Sequence, residues 1–193
     1  MTITEKLLIK NGTVVDGTAA PAYRADVRLQ DGHIDEIGEN LSATGDERVV
    51  DATDCIVAPG FIESHTHYDG SMWWDDRLDP LPGYGATTQV MGNCGFATAP
   101  LSDDAAVRRE VVKIFSFFED IPEEPFIASL PWDWRTWPEY KESMVNKVTV
   151  PLNYAVYCGH IALRLTAMGM DAWDRAATPD EIEHMASMLE EAM

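Results

Sequence analysis

The stretch APGFIESHTHYD, residues 58–69, contains a short apolar run followed by two histidines, His65 and His67. Side chains along a strand point alternately to opposite faces, so this i and i+2 spacing puts both imidazoles on one face. Neutral imidazole is a common zinc ligand, and the carboxyl end of a buried strand is where a barrel displays catalytic groups. The spacing predicts a metal site, although a bare His-x-His can also cap a strand and bond water or backbone.

The hydrophobic pattern changes at Pro59-Gly60. Upstream, short alternating segments separated by turn residues predict β-hairpins, with Asp31-Gly32 in a tight turn. Downstream, predicted strands alternate with helices, which favours βα units and a parallel sheet. The three predicted strands are Phe61–His67, Ala86–Cys94 and Pro151–Gly159. We therefore expect an α/β protein with domains at 1–58 and 59–193.

Two helices are predicted downstream. The first covers Ser102–Phe118, with Ser102 as N-cap and a buried stripe at Val107, Val111, Ile114, Phe115 and Phe118. The second begins at a capping box, Thr178 to Glu181, and its apolar residues are Ile182, Met185, Leu189 and Met193. The proline- and tryptophan-rich stretch 119–144 predicts either an ordered excursion packed by its own aromatics or a wall of a substrate pocket.

A second motif, YGATTQVMGNCGFATAP at residues 84–100, places Cys94 at the end of the second predicted strand. A thiolate suits zinc better than calcium or magnesium, and Gly92 and Gly95 would let the backbone approach the site closely. The alternative is that Cys94 fills a buried apolar space, as free cysteines usually do. Core packing is the role predicted for Cys55 and Cys158, which lie in apolar strand-like runs.

Together these motifs resemble the amidohydrolase superfamily. Residues 1–69 are similar to its start, where a small β-sandwich precedes a distorted (β/α)8 TIM barrel whose first strand ends in His-x-His. The Gly-Asn-Cys-Gly segment resembles the N-acyl-D-amino-acid deacylases, or D-aminoacylases, in which the cysteine is a zinc ligand. The segments FFEDIPEEPF, PWDWRTWPEY and GHIALRLTAMG extend this resemblance over essentially the whole chain.

The resemblance implies a site with one or two zinc ions held by His65, His67 and Cys94. Asp69 would orient a ligand imidazole. His160, at the end of the third predicted strand, and Arg164, one turn later, could face the same cavity and hold a substrate carboxylate, although a histidine at such a junction often caps the helix or braces a loop. The catalytic aspartate of the family and two further zinc-binding histidines are expected beyond the chain.

The implied reaction is zinc-assisted hydrolysis of an N-acyl-D-amino acid, a small-molecule substrate, to a carboxylate and a D-amino acid. A (β/α)8 barrel takes about 250 residues, so 59–193 would be its first part, about three strands, and we expect this fragment alone to be inactive. One alternative is a cyclic amidase or imidase, such as a dihydropyrimidinase or dihydroorotase, which uses a carboxylated lysine. The other is a non-catalytic fragment or assembly protein that keeps the fold.

Composition excludes several classes of protein. The formal net charge of −19 argues against a nucleic-acid or anionic-membrane partner, since both are bound through a surplus of Lys and Arg. No apolar run has the length of a membrane span or the pattern of a signal peptide, and the odd number of cysteines is unlike a disulfide framework. A cytoplasmic protein with reduced thiols is expected, and the oligomeric state is left open.

Overall fold

The computed structural model describes residues 6–193. The chain divides into two compact units between Pro59 and Gly60. Within the described residues, no helix is both long enough and apolar enough to cross a membrane.

The first unit is a five-stranded sheet. Its strands are β1 Leu7–Val14, β2 Tyr23–Gln30, β3 His33–Gly38, β4 Arg48–Asp51 and β5 Ile56–Val57. The order is β3-β2-β1-β4, and β5 also pairs with β1. The two hairpin pairs are antiparallel, whereas β4 and β5 run parallel to β1. Val14, Ala25 and Val27 form one buried apolar cluster on the sheet, and Leu8, which pairs with Arg28, is buried outside that cluster.

The predicted tight turn joins β2 to β3. Asp31 and Gly32 both have positive φ, 51° and 77°, as a two-residue hairpin turn of this hand requires. Residues 6–59 form one sheet, as a layer of the expected β-sandwich would. The β-sandwich and the domain limits 1–58 and 59–193 stay predictions.

Cys55 corrects one expectation about the core. It lies in the turn between β4 and β5 and is exposed, whereas Cys158 is half-buried. Both polar groups of the Cys55 backbone form hydrogen bonds: its N–H donates to Ala52 O, and its carbonyl accepts from Thr13 N. The apolar run around Cys55 therefore reflects the short strand β5 and not burial of the thiol.

The second unit contains a parallel sheet in the order β6-β7-β8. Its strands are β6 Phe61–Glu63, β7 Ala86–Met91 and β8 Asn153–Val156. Its helices are α1 Ala105–Glu119, α2 Glu123–Ser129, α3 Trp137–Lys147, α4 His160–Met168 and α5 Pro179–Ala192. The predicted parallel sheet is confirmed, and helices follow β7 and β8 as predicted, whereas the connection from β6 to β7 contains only two short 3-10 helices, Ser71–Trp73 and Pro82–Tyr84. All three strands are shorter than predicted, since residues 64–67 and 157–159 lie outside the regular strands and residues 93–95 form a 3-10 turn.

Helix α1 begins later than predicted. Its N-cap is Asp104, whose carboxylate accepts a hydrogen bond from Ala106 N at 2.8 Å, and Ser102 lies before the helix. Four members of the predicted stripe, Val107, Val111, Ile114 and Phe115, are buried. Phe118 is 61% exposed, because it lies in the last turn of α1, and its ring contacts Phe96 at the border of the core.

The aromatic-rich stretch after α1 is ordered, as one of its two interpretations predicted. It supplies Phe126, Trp134 and Tyr140, which are fully buried and pack with Trp73 and Phe115. We call these five residues the aromatic core. The alternative, that the stretch walls a substrate pocket, stays a prediction.

The capping box predicted for the last helix is confirmed. Thr178 accepts from Glu181 N, and the Glu181 side chain accepts from Thr178 N. The predicted apolar stripe is only partly buried, since Met185 is buried whereas Ile182, Leu189 and Met193 are exposed.

Candidate metal centre

The two histidines follow β6 and do not lie within it. Between them, Thr66 is buried, and its backbone N–H and its hydroxyl both donate to Val90 O, at 3.0 and 2.9 Å. The segment thus runs in extended fashion beside the end of β7. Because Thr66 points into the unit, His65 and His67 keep the shared orientation that the i, i+2 spacing predicts.

Cys94 lies in a turn of residues 92–95, which we call the cysteine turn. Gly92, Cys94 and Gly95 have φ values of 76°, 56° and 79°, in the left-handed region that L side chains rarely adopt. A Cβ on Gly92 would lie 2.4 Å from Tyr157 O, so glycine is required there for space as well as for φ. Close packing against the neighbouring chain segment, and not only access to the site, explains this glycine.

Asn93 ties the cysteine turn to the histidine segment. Its side-chain amide donates to Val90 O at 2.9 Å and to Thr66 O at 3.3 Å. The hydrogen bonds of Asn93 and Thr66 therefore meet at Val90 O, between the two parts of the site. They determine how far Cys94 lies from the imidazoles.

The three predicted ligands come together. One donor atom from each of His65, His67 and Cys94 lies within 4.8 Å of the other two. Cys94 Sγ is 3.3 Å from His65 Nε2, and the two imidazole centroids are 5.3 Å apart. Cys94 is exposed, so it does not fill a core cavity.

The donor set fits a zinc ion. Two imidazoles and a thiolate are ligands that zinc prefers. His67 Nδ1 is buried and has no hydrogen-bond partner among residues 6–193, which is an unusual state for a ring nitrogen unless a ligand takes it. Burial lowers the pKa of His67, and nearby His65 lowers it further, while Glu119 opposes both. The neutral imidazole, the form that binds metal, is thereby favoured.

Asp69 is fully buried beside the same turn. Its Oδ2 accepts from Gly92 N at 3.4 Å, and Trp73 Nε1 donates to its backbone carbonyl. Burial raises the pKa of Asp69 to about 7, against the opposing hydrogen bond from Gly92. The structure places Asp69 against the backbone of the cysteine turn. Its predicted role, to orient an imidazole, stays a prediction.

Sequence reasoning missed Glu119, the last residue of α1. Its Oε1 lies 3.5 Å from His67 Nε2, and both side chains line a cavity of about 270 Å³ with Tyr68, Ser71 and Ile121. A glutamate at the carboxyl end of a helix opposes the helix dipole, and that local conflict is the signal that could have indicated it.

The two residues predicted to contact substrate lie on α4. His160 begins the helix, and Arg164 donates to two backbone carbonyls, of Ala172 at 2.6 Å and of Arg175 at 3.0 Å. Both line an apolar groove of about 450 Å³ between α4 and α5, which does not include the three metal-ligand candidates. Substrate contact by His160 and Arg164 stays a prediction.

Known amidohydrolases are similar to this chain. The model of the amidohydrolase family matches residues 48–193. An N-acyl-D-aspartate deacylase of Alcaligenes xylosoxydans xylosoxydans is 35% identical over 186 residues, covering 96% of this chain and 34% of the relative. A D-hydantoinase of Geobacillus stearothermophilus is 45% identical, but over 93 residues, covering 45% of this chain and 19% of the relative.

Among solved structures, an N-acyl-D-glutamate deacylase from Bordetella bronchiseptica has a TM-score of 0.76 at 32% identity, covering 98% of this chain and 36% of that one. That protein is complexed with zinc and a phosphonate inhibitor that mimics the tetrahedral intermediate. The predicted fold class, a strand-rich N-terminal part followed by the first strands of an amidohydrolase-type (β/α)8 barrel, is confirmed. The chain spans about a third of the length of both deacylases.

Proposed function

Because the chain belongs to the amidohydrolase family, we propose that the protein is a zinc-dependent hydrolase that converts N-acyl-D-amino acids to a carboxylate and a D-amino acid. The observation that carries this proposal is the meeting of Cys94 with His65 and His67. The N-acyl-D-aspartate and N-acyl-D-glutamate deacylases among its relatives support the substrate class.

His65, His67 and Cys94 would hold the zinc in this part of the protein. When bound, zinc supplies a Lewis acid that polarises an amide carbonyl and lowers the pKa of water. The two imidazoles contribute no charge, whereas the Cys94 thiolate offsets part of the charge of the ion. Thr66 and Asn93 hold the histidine segment and the cysteine turn together through Val90 O.

We place the proton acceptor outside residues 1–193. The chain spans about a third of the deacylases it resembles, and Asp69 is fully buried. A carboxylate without access to solvent cannot meet a substrate amide. The family resemblance implies that an aspartate from a later strand takes the proton.

A cyclic amidase is the second candidate, favoured by the 45% identity to D-hydantoinase over 93 residues. Cys94 argues for the deacylase, because the resemblance implies a carboxylated lysine as the bridging ligand in cyclic amidases. The two candidates differ in the bond that is cleaved, an open-chain amide or a ring amide.

The complete protein, loaded with zinc, tests the proposal. It should release free amino acid from N-acetyl-D-aspartate or N-acetyl-D-glutamate faster than from the L enantiomers, and a metal chelator should abolish the release. Cys94→Ala should lose activity by more than about 100-fold, since removal of groups that merely support ligands already costs 10 to 100-fold. Cys55→Ala, a change at another exposed cysteine, should keep it.

Ring opening of hydantoin or dihydrouracil without deacylation would replace the proposal by the cyclic amidase. No turnover of either substrate by zinc-loaded protein would favour a non-catalytic assembly role. Cobalt substitution gives an independent readout, because coordination by Cys94 should produce a thiolate-to-cobalt charge-transfer band that Cys94→Ala removes.

A further inference from the structure

The carboxylate of Glu119 reaches the metal centre from a different element than the three ligand candidates. Helix α1 ends at Glu119, and Asp120 is its C-cap. Asp120 has a φ of 53°, and its N–H donates to Phe115 O, which closes the last turn. Glu119 is therefore held on a defined helix end and not on a loose loop. Its side chain is 26% exposed and that of His67 is 12% exposed, so their contact is partly shielded from solvent.

Local helix energetics do not explain a glutamate at this position. The carboxyl end of a helix carries partial negative charge, which disfavours an acidic side chain. The last turn of α1 contains no basic residue that would offset it. Within residues 6–193, the side chain found facing the Glu119 carboxylate is the imidazole of His67.

The two ring nitrogens of His67 have different surroundings. One, Nε2, lies 3.5 Å from Glu119 Oε1, and the other, Nδ1, is buried without a hydrogen-bond partner among the described residues. Phe96 and Phe115 pack against the ring with centroid distances of 5.5 and 6.5 Å. These apolar contacts hold the ring in place, but they cannot select which nitrogen carries the proton.

We propose that Glu119 is a positioning residue of the metal centre: its carboxylate faces Nε2 of His67 and fixes which way round that imidazole lies against the other two ligand candidates. Ligating histidines usually have such a carboxylate or carbonyl partner. Asp69 serves the opposite part of the site, since it contacts the backbone of the cysteine turn. The inference rests on the proposed zinc site.

The test measures zinc affinity of the complete protein by competition with a chromophoric chelator. Glu119→Ala should weaken binding about 10 to 100-fold. Glu119→Gln keeps an oxygen acceptor, so it should recover part of that loss. Glu124→Gln, which alters an exposed glutamate in the first turn of α2, should bind zinc like the wild type.

Two further measurements separate positioning from a structural role. In a His67→Ala background, Glu119→Ala should cause no additional loss of affinity, because Glu119 acts through that imidazole. Thermal unfolding of the metal-free protein should not be lowered by Glu119→Ala, since the change removes an acidic group from the carboxyl end of a helix.

Wild-type zinc affinity in Glu119→Ala, an equal loss in the His67→Ala background, or a matching loss of metal-free stability would each overturn the inference. Failure of the proposed function has a different signature. A protein that binds zinc in a Glu119-dependent manner and deacylates nothing would refute the activity alone. A protein that deacylates its substrate and whose zinc affinity is unchanged by Glu119→Ala would refute the positioning role alone.

Discussion

The aromatic core and the cysteine turn lie in the same compact unit, but different interactions stabilise them. In the aromatic core, Trp134 packs on Trp73 and Tyr140 with centroid distances of 5.3 and 4.8 Å, and its Nε1 donates to Thr98 O. The cysteine turn instead combines positive φ values with hydrogen bonds and leaves Cys94 exposed. One region depends on buried volume, and the other on backbone conformation. Stability and metal binding should therefore respond to different substitutions.

The largest expected effect is in the aromatic core. Trp134→Ala should lower the free energy of unfolding by about 3–5 kcal/mol, because it removes a fully buried indole and leaves a cavity. Denaturant unfolding of the metal-free protein measures this. Trp173→Ala is the matched control, and since Trp173 is 50% exposed its loss should be far smaller. Similar losses of unfolding free energy in both variants would contradict the dependence of the aromatic core on buried volume.

Gly92→Ala examines the cysteine turn. The left-handed φ costs an L residue about 1–2 kcal/mol, and the added Cβ would lie 2.4 Å from Tyr157 O, so the turn has to shift. We expect a loss of about 2–4 kcal/mol once overpacking is included. Zinc affinity should fall as well, whereas zinc affinity per folded molecule should be kept in Trp134→Ala.

Gly83→Ala is the control for Gly92→Ala, because a Cβ there meets no atom within 4 Å. It should leave both unfolding and zinc affinity close to wild type. Equal behaviour of the two glycine variants would show that backbone conformation does not determine the metal site.

Asn93→Ala should have a smaller effect. It removes two hydrogen bonds, to Val90 O and to Thr66 O, each contributing about 0.5–1.5 kcal/mol. Because these bonds link the cysteine turn to the histidine segment, zinc affinity should fall by about tenfold, in the range seen for groups that support ligands. Isothermal titration with zinc measures the change. Asn146→Ala, at an exposed position of α3, should bind as wild type does.

The smallest effect concerns α5, outside both regions. Hydrogen bonds and charge from Arg175, together with the N–H of Thr178, lower the pKa of Glu181 to about 2. A carboxyl group with a depressed pKa stabilises the folded state above its unfolded pKa, and this contribution is lost as pH falls from about 4.5 to about 2. Wild type should therefore lose more stability over this window than Glu181→Gln, measured by thermal unfolding. If wild type and Glu181→Gln lost the same stability over this pH window, Glu181 would not be the group responsible.

Local patterns in the sequence predicted several features correctly. The turn at Asp31-Gly32 and the capping box at Thr178 and Glu181 depend on residues next to each other in the chain. The common orientation of His65 and His67 follows from strand periodicity, which persists although β6 ends at Glu63. Each of these features is determined within a few residues.

Other expectations failed where residue preferences and periodicity do not decide between alternatives or report the surroundings of a side chain. Ser102 and Asp104 are both good N-caps, and the hydrogen bond to Ala106 selects Asp104. The exposure of Phe118 and of Cys55 depends on what surrounds each side chain, which periodicity does not report. Glu119 was missed because nothing near it in sequence relates it to His67.

The sequence by itself indicated three candidate metal ligands and the family in which such ligands occur. Tertiary structure decided how they meet, because His65 and Cys94 are 29 residues apart and their 3.3 Å separation depends on the hydrogen bonds that converge on Val90 O. It also decided which carboxylate lies against which part of the site, Asp69 against the cysteine turn and Glu119 against the imidazole of His67. Residue type sets what chemistry is possible, whereas distance between elements sets which groups can act together.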